Sequence, residues 1–86
     1  MKNKVFVGNL SYSTTEESLE IKMKEFGAVR HTKIVKDQET KQSKGFAFVT
    51  FDTEDAAAKA IAELDKQTFE GRQIAVKEAI EKRAIK

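Results

Sequence analysis

The chain has no cysteine and no proline, and only four glycines, one tyrosine and one histidine. Without thiols there is no disulfide framework, no thiolate nucleophile and no cysteine-based zinc site. No Pro-rich or Gly/Ser-rich linker divides the sequence, and no internal repeat appears. No apolar run is long enough to cross a bilayer as a helix, and Met1 opens no signal-peptide pattern. The expectation is a cytoplasmic protein, or a nuclear one if the chain is a domain of a larger eukaryotic protein. The 86 residues suffice for one domain with a modest core, burying roughly 60–65% of the unfolded chain's surface. A net charge of +2 is too small to identify a partner.

Residues 44–51, Lys-Gly-Phe-Ala-Phe-Val-Thr-Phe, say most about what the chain does have. Strand alternation puts Lys44, Phe46, Phe48 and Thr50 on one face, and Gly45, Ala47, Val49 and Phe51 on the other. Both faces carry aromatics, yet a sheet covered by helices on one side has a single interior. One Phe-bearing face is therefore left for solvent or a partner. Two Phe side chains two residues apart, with a Lys beside them, form a platform for stacking flat bases next to phosphates.

The rest of the chain supplies the scaffold. Lys4–Leu10 alternates as a first strand, with Val5 and Val7 one way and Lys4, Phe6 and Gly8 the other. Thr14 followed by Glu17 fits a capping box, Leu19, Met23 and Phe26 recur at helical spacing, and Gly27 stops the helix. Ile21 falls off that apolar face. Val29–Lys36 is a second strand, with Thr32 and Ile34 inward and His31, Lys33 and Val35 outward. Asp37–Ser43 is polar and reads as a loop before the third strand. Thr53 caps a second helix whose stripe is Ala57, Ala60, Ile61 and Leu64. Gly71 marks a turn, and Gln73–Lys77 alternates again with Ile74 and Val76 inward. Phe26, Phe51 and Phe69 belong to the core or its margin.

This β-α-β-β-α-β order predicts an α+β, ferredoxin-like sandwich: a four-stranded antiparallel sheet with two helices on one face. Right-handed crossovers place the first and third strands side by side in the centre. Phe6, Phe46 and Phe48 then share the bare face. Acids concentrate in the helices, as in Glu16, Glu17, Glu20 and Glu25, whereas Lys4, Lys33, Lys44 and Lys77 sit in strands. The bare face is therefore locally positive while the helical acids read as solvated faces.

At these positions the chain resembles the RNA recognition motif family. Lys44–Phe51 fits the family octamer K/R-G-F/Y-G/A-F-V-x-F/Y at every position, and Val5-Phe6-Val7-Gly8-Asn9-Leu10 fits its first-strand hexamer. The resemblance covers roughly residues 4–79, giving a motif domain over 1–79 and a tail over 80–86. It extends to the small single-motif proteins of bacterial and cyanobacterial type. It implies that Phe6 and Phe48 stack on two bases, that Phe46 packs on sugars, and that Lys44 pairs with phosphate. Lys33 and Lys77 occupy outer-strand positions that often touch RNA, Lys4 adds a further cation, and Tyr12 lies at the edge of the face. Asn9 sits at a strand end where the family has a near-standard Asn, more a turn-former than a base reader. Three departures stand out: Lys41 and Lys66 replace common glycines, and Met23 replaces a usual aromatic. Lys66 costs on the order of 1 kcal/mol if its φ is positive.

The expected partner is single-stranded RNA, with single-stranded DNA left open, bound by a monomer with no cofactor and no membrane. The alternative class is a protein-interaction module, for which exposed Ile21 is the one pointer. An enzyme is not expected. The hydroxyl run Ser11, Ser13, Thr14 and Thr15 has no base beside it, and the loop after the first strand lacks the Arg-bearing phosphate cradle of an acyl-phosphate hydrolase. His31, without Cys or a carboxylate cluster, makes no metal site. The tail reads either as a frayed terminus or as a short helix with Ile80 and Ala84 on one side.

Overall fold

The structure, a computed structural model, describes residues 3–40 and 43–79, with the side chains of Ser43 and Lys44 outside that description. The tail at 80–86 and the loop position Lys41 also lie outside the described residues. The elements run β1 (Lys4–Gly8), α1 (Glu16–Met23), β2 (Val29–Lys36), β3 (Ser43–Phe51), α2 (Glu54–Leu64), β4 (Thr68–Phe69), β5 (Arg72–Gln73) and β6 (Ala75–Glu78). The main sheet has the order β2-β3-β1-β6, with every pairing antiparallel. This is the expected ferredoxin-like arrangement, with β1 and β3 in the centre.

One face of the sheet and both helices enclose the core. Val5, Val7, Ala47, Val49, Phe51 and Val76 are fully buried from the strands, and Leu19, Met23 and Ala60 meet them from the helices. Phe26, Val29, Ile61 and Phe69 pack on the margin. Met23 is fully enclosed in this core, where a flexible thioether adapts to its neighbours. The second helix buries Ala56 as well as Ala57, Ala60 and Leu64, so its contact stripe is one residue wider than periodicity indicated, and Ile61 is only partly covered. Ile21 is 62% exposed, as its place off the apolar stripe required.

Beyond the end of α1, which stops at Met23 and leaves Phe26 in the turn that follows rather than on the helix, two local readings need correction. The first helix is capped by Thr15, not Thr14. The Thr15 Oγ1 accepts the Ser18 amide at 3.1 Å, and the Ser18 Oγ accepts the Thr15 amide at 3.2 Å. Thr14 is buried and donates its hydroxyl to the Glu70 carboxylate at 2.6 Å instead. A capping box defined by residue type was off by one because two adjacent threonines can each serve, and tertiary contact selected between them. The second correction concerns Gln73–Lys77. Gln73 belongs to a separate small hairpin, Thr68–Phe69 with Arg72–Gln73, and the fourth strand of the main sheet begins at Ala75. Ile74 and Val76 remain buried as read.

The helical acids also do more than face solvent. Glu16, in the first turn of α1, accepts the Ile34 amide of edge strand β2 at 3.1 Å. Asp65, at the C-terminus of α2, accepts the Val76 amide of the opposite edge strand β6 at 2.9 Å. Each carboxylate satisfies an edge N–H and obstructs strand addition there. The Val76 hydrogen bond is the largest cause holding the Asp65 pKa below its usual 3.8. Partial desolvation opposes it, and the ammonium groups of Lys77 and Lys66 reinforce it.

Two predictions follow from these contacts. A carboxylate with a lowered folded pKa stabilises the fold above its unfolded value, and that contribution is lost as pH falls through the folded pKa. Side-chain carbon NMR titration should therefore show Asp65 protonating below the usual carboxylate value of 3.8, and Asp65→Asn should flatten the acid limb of the stability profile. Lys66 has φ of 68°, in the left-handed region that disfavours a side chain. Lys66→Gly should raise the thermal midpoint by roughly 4–8 °C, the equivalent of about 1 kcal/mol.

Candidate nucleic-acid interface

Register assembles the open face of the sheet row by row. In the central row Lys33 stands opposite Phe48, Phe48 opposite Phe6, and Phe6 opposite Lys77. A second row carries His31 opposite Thr50 and Thr50 opposite Lys4. A third sets Phe46 opposite Gly8 and Gly8 opposite Ala75. None of these paired positions is acidic. The central row spans three strand spacings, about 14 Å, with a cation at each end and two aromatic rings between.

The three phenylalanines are half-buried and touch one another. Phe6 lies 5.6 Å from Phe46 and 5.7 Å from Phe48, measured between ring centroids, while Phe46 and Phe48 are 6.4 Å apart. Phe6 is thus the hub of the cluster. Its plane is inclined 38° to Phe46 and 60° to Phe48. Such tilted and edge-on contacts are the favoured geometries for aromatic pairs, so the rings brace each other while part of each residue stays exposed. The Lys4 Nζ sits 5.3 Å from the Phe48 centroid, within cation–π range.

The expected site residues divide into three sets. Phe6, Phe46, Phe48, Lys4 and Lys33 gather on the open face as read. Lys77 shares that face, but its ammonium lies 3.4 Å from the Asp65 carboxylate at the sheet edge. Lys44 belongs to β3 with its side chain outside the described residues. Asn9 and Tyr12 sit at the end of β1. Asn9 has φ of 60°, its Nδ2 donates to the Gln73 carbonyl at 2.5 Å, and its Oδ1 accepts from Arg72 Nη2 at 2.8 Å. It is the turn-former, held by a partner 63 residues away that no local signal identified. Tyr12 is 76% exposed. Its ring edge lies 3.4 Å from where a Cβ on Gly45 would stand. Gly45 itself has φ of 87°, which explains a glycine at the octamer's second position, and its carbonyl accepts the Leu10 amide at 2.8 Å.

The hydroxyl run is occupied by structure. Ser11 and Ser13 share a hydrogen bond at 2.8 Å, Thr14 holds Glu70, and Thr15 caps α1. Among the described residues no three His, Asp or Glu side chains stand close enough to hold a metal ion.

Comparison with known proteins agrees with this geometry. The chain is 44% identical over 82 residues to the mitochondrial glycine-rich RNA-binding protein 4 of Arabidopsis thaliana, an alignment covering 95% of this chain and 60% of that protein. The chain thus spans under two thirds of that relative's length. The fold superposes on the crystal structure of RNA binding protein PG1 with a TM-score of 0.88 at 42% identity, covering 94% of this chain and 98% of that one. It also superposes on the structure of the Rna15 motif with bound RNA (GU), with a TM-score of 0.82 at 26% identity, covering 92% and 84% of the two chains. The sequence model of the RNA recognition motif matches residues 5–75, spanning both strand motifs and the elements between them, and the chain belongs to that family.

Proposed function

We propose that this chain binds single-stranded RNA on the open face of its sheet, as a monomeric binding module and not as an enzyme. The observation that carries the reading is the central row, Lys33–Phe48–Phe6–Lys77, on a face with no acid at its paired positions. Phe6 and Phe48 each offer a π-face to one base, and Phe46, braced against both, packs on the sugars between them. Lys33 and Lys44 neutralise phosphates, and Lys4 adds charge beside the base on Phe48. Polar groups along β6 and the following residues to Ala79 read base edges. The family membership and the RNA-bound neighbour support the same reading. Two or three stacked bases, offset by the cost of ordering a flexible strand, lead to affinity of about micromolar order.

A protein-docking reading has less to stand on. Tyr12 and Ile21 are the large apolar side chains exposed among the described residues, and Ile21 alone of the two lies on a helix. Stacking by itself does not select ribose over deoxyribose, so a DNA oligonucleotide of matching sequence is the informative comparison.

Titration with short random single-stranded RNA, followed by amide NMR, should shift strand residues of the open face and leave the helices unmoved. Phe6→Ala/Phe48→Ala, verified as folded, should weaken binding by at least about 30-fold, since each stacked base is worth roughly 1–3 kcal/mol. Retained binding, or shifts confined to the helices, would overturn the reading. Salt dependence gives a second test. Lys33→Gln should reduce the slope of log K against log salt by about 0.7, the value of one phosphate contact to a single strand. Lys77→Gln should reduce it less, because Asp65 already shares that ammonium.

A further inference from the structure

We infer that Gly8 is a positioning residue for the stacking platform: its missing side chain provides the space in which the Phe6 ring lies. The inference builds on the RNA-binding reading above. A Cβ placed on Gly8 would stand 2.8 Å from the Phe6 Cε2, closer than a Cβ approaches another carbon, and a tight 3.1 Å from its Cζ. The ring therefore leans along β1 over the Gly8 backbone. That is why Gly8 is buried although it belongs to the open face.

The glycine has no conformational reason to be there. Positive φ occurs at Gly27, Gly45 and Gly71, and Gly8 is not among them. By strand propensity alone a side chain would be the better choice, since glycine in a strand loses more backbone entropy and packs nothing. What the position offers is room. Gly8 stands directly opposite Phe46 in register, and the Phe6 ring that overlies it makes its closest aromatic contact with Phe46, at 5.6 Å. A methyl group at position 8 would swing the ring about its side-chain torsions, away from Phe46. The obstacle is the far edge of a movable side chain and not backbone, so the fold tolerates the change while the platform does not.

The test is a double-mutant cycle read by fluorescence anisotropy with a labelled random single-stranded RNA octamer, using the unmodified chain, Gly8→Ala, Phe6→Ala and Phe6→Ala/Gly8→Ala. Thermal midpoints are measured on all four. Gly8→Ala should weaken binding roughly three- to tenfold, a fraction of the loss of one stacked base, with its midpoint within about 3 °C of the parent. In the Phe6→Ala background the added methyl has no ring to displace, and affinity should not change further. Unchanged binding by Gly8→Ala would overturn the inference. So would an equal loss in both backgrounds, which would mean that the methyl obstructs RNA directly, or a midpoint lowered equally in both, which would mean that the strand itself rejects it. If Phe6→Ala alone leaves affinity intact, the stacking reading fails instead, and this inference with it.

Discussion

The antiparallel register between β1 and β3 is the constraint on which both faces of the sheet depend. It sets Val5 opposite Val49 and Val7 opposite Ala47 toward the helices, and in the same stroke sets Phe6 opposite Phe48 away from them. A slip of one residue would turn Lys4 and Phe6 into the core and expose Val5 and Val7. Exposing each buried valine costs about 1.5–3 kcal/mol, before any charge is buried. The core therefore specifies the register, and the aromatic cluster follows from it. No separate interaction is needed to bring Phe6, Phe46 and Phe48 within 6.4 Å of each other.

The periphery is closed by polar contacts of long sequence separation. Glu16 and Asp65 each occupy an edge amide, one on β2 and one on β6. Asn3 is buried and donates to the Phe51 carbonyl at 2.7 Å, fixing the end of β3. Arg72 and Gln73, in the small hairpin, grip Asn9 at the end of β1. Thr32 is the exception: its Oγ1 is buried without a hydrogen-bond partner among the described residues. Among the described residues these contacts lie off the aromatic cluster, and charge is unevenly placed between the two sides. Lys4 and Lys33 lie with the aromatics, while Glu54, Asp55 and Glu78 line a shallow cavity beside α2. A polyanion approaching the open face meets unlike charge, although the net charge is only +2.

Much of this was legible in the sequence, because periodicity is a local property. Alternation in Lys4–Leu10 and in the octet assigned each side chain to a face, and the stripe of Ala57, Ala60 and Leu64 assigned one side of α2 to the core. The order of elements, with the handedness of crossovers, then placed β1 beside β3. The aromatic platform is legible in the sequence because it needs nothing beyond period two, a two-layer fold and that adjacency.

What only the tertiary structure decided were choices between locally equivalent groups. Thr14 and Thr15 are alike in a capping pattern until Glu70, distant in sequence, takes the hydroxyl of one. Gln73 continues an alternating run until the Thr68–Phe69 strand pairs with it. Lys77 is one more strand lysine until Asp65 lies beside it, and Asn9 is one more turn residue until Arg72 reaches it. The position of the Phe6 ring over Gly8 is likewise invisible to alternation, which gives the face of a side chain but not its direction along the strand. The sequence by itself determined which residues face which way. The folded chain determined which neighbours they meet, because hydrogen bonds and ring contacts are settled by distance in space and not by spacing along the chain.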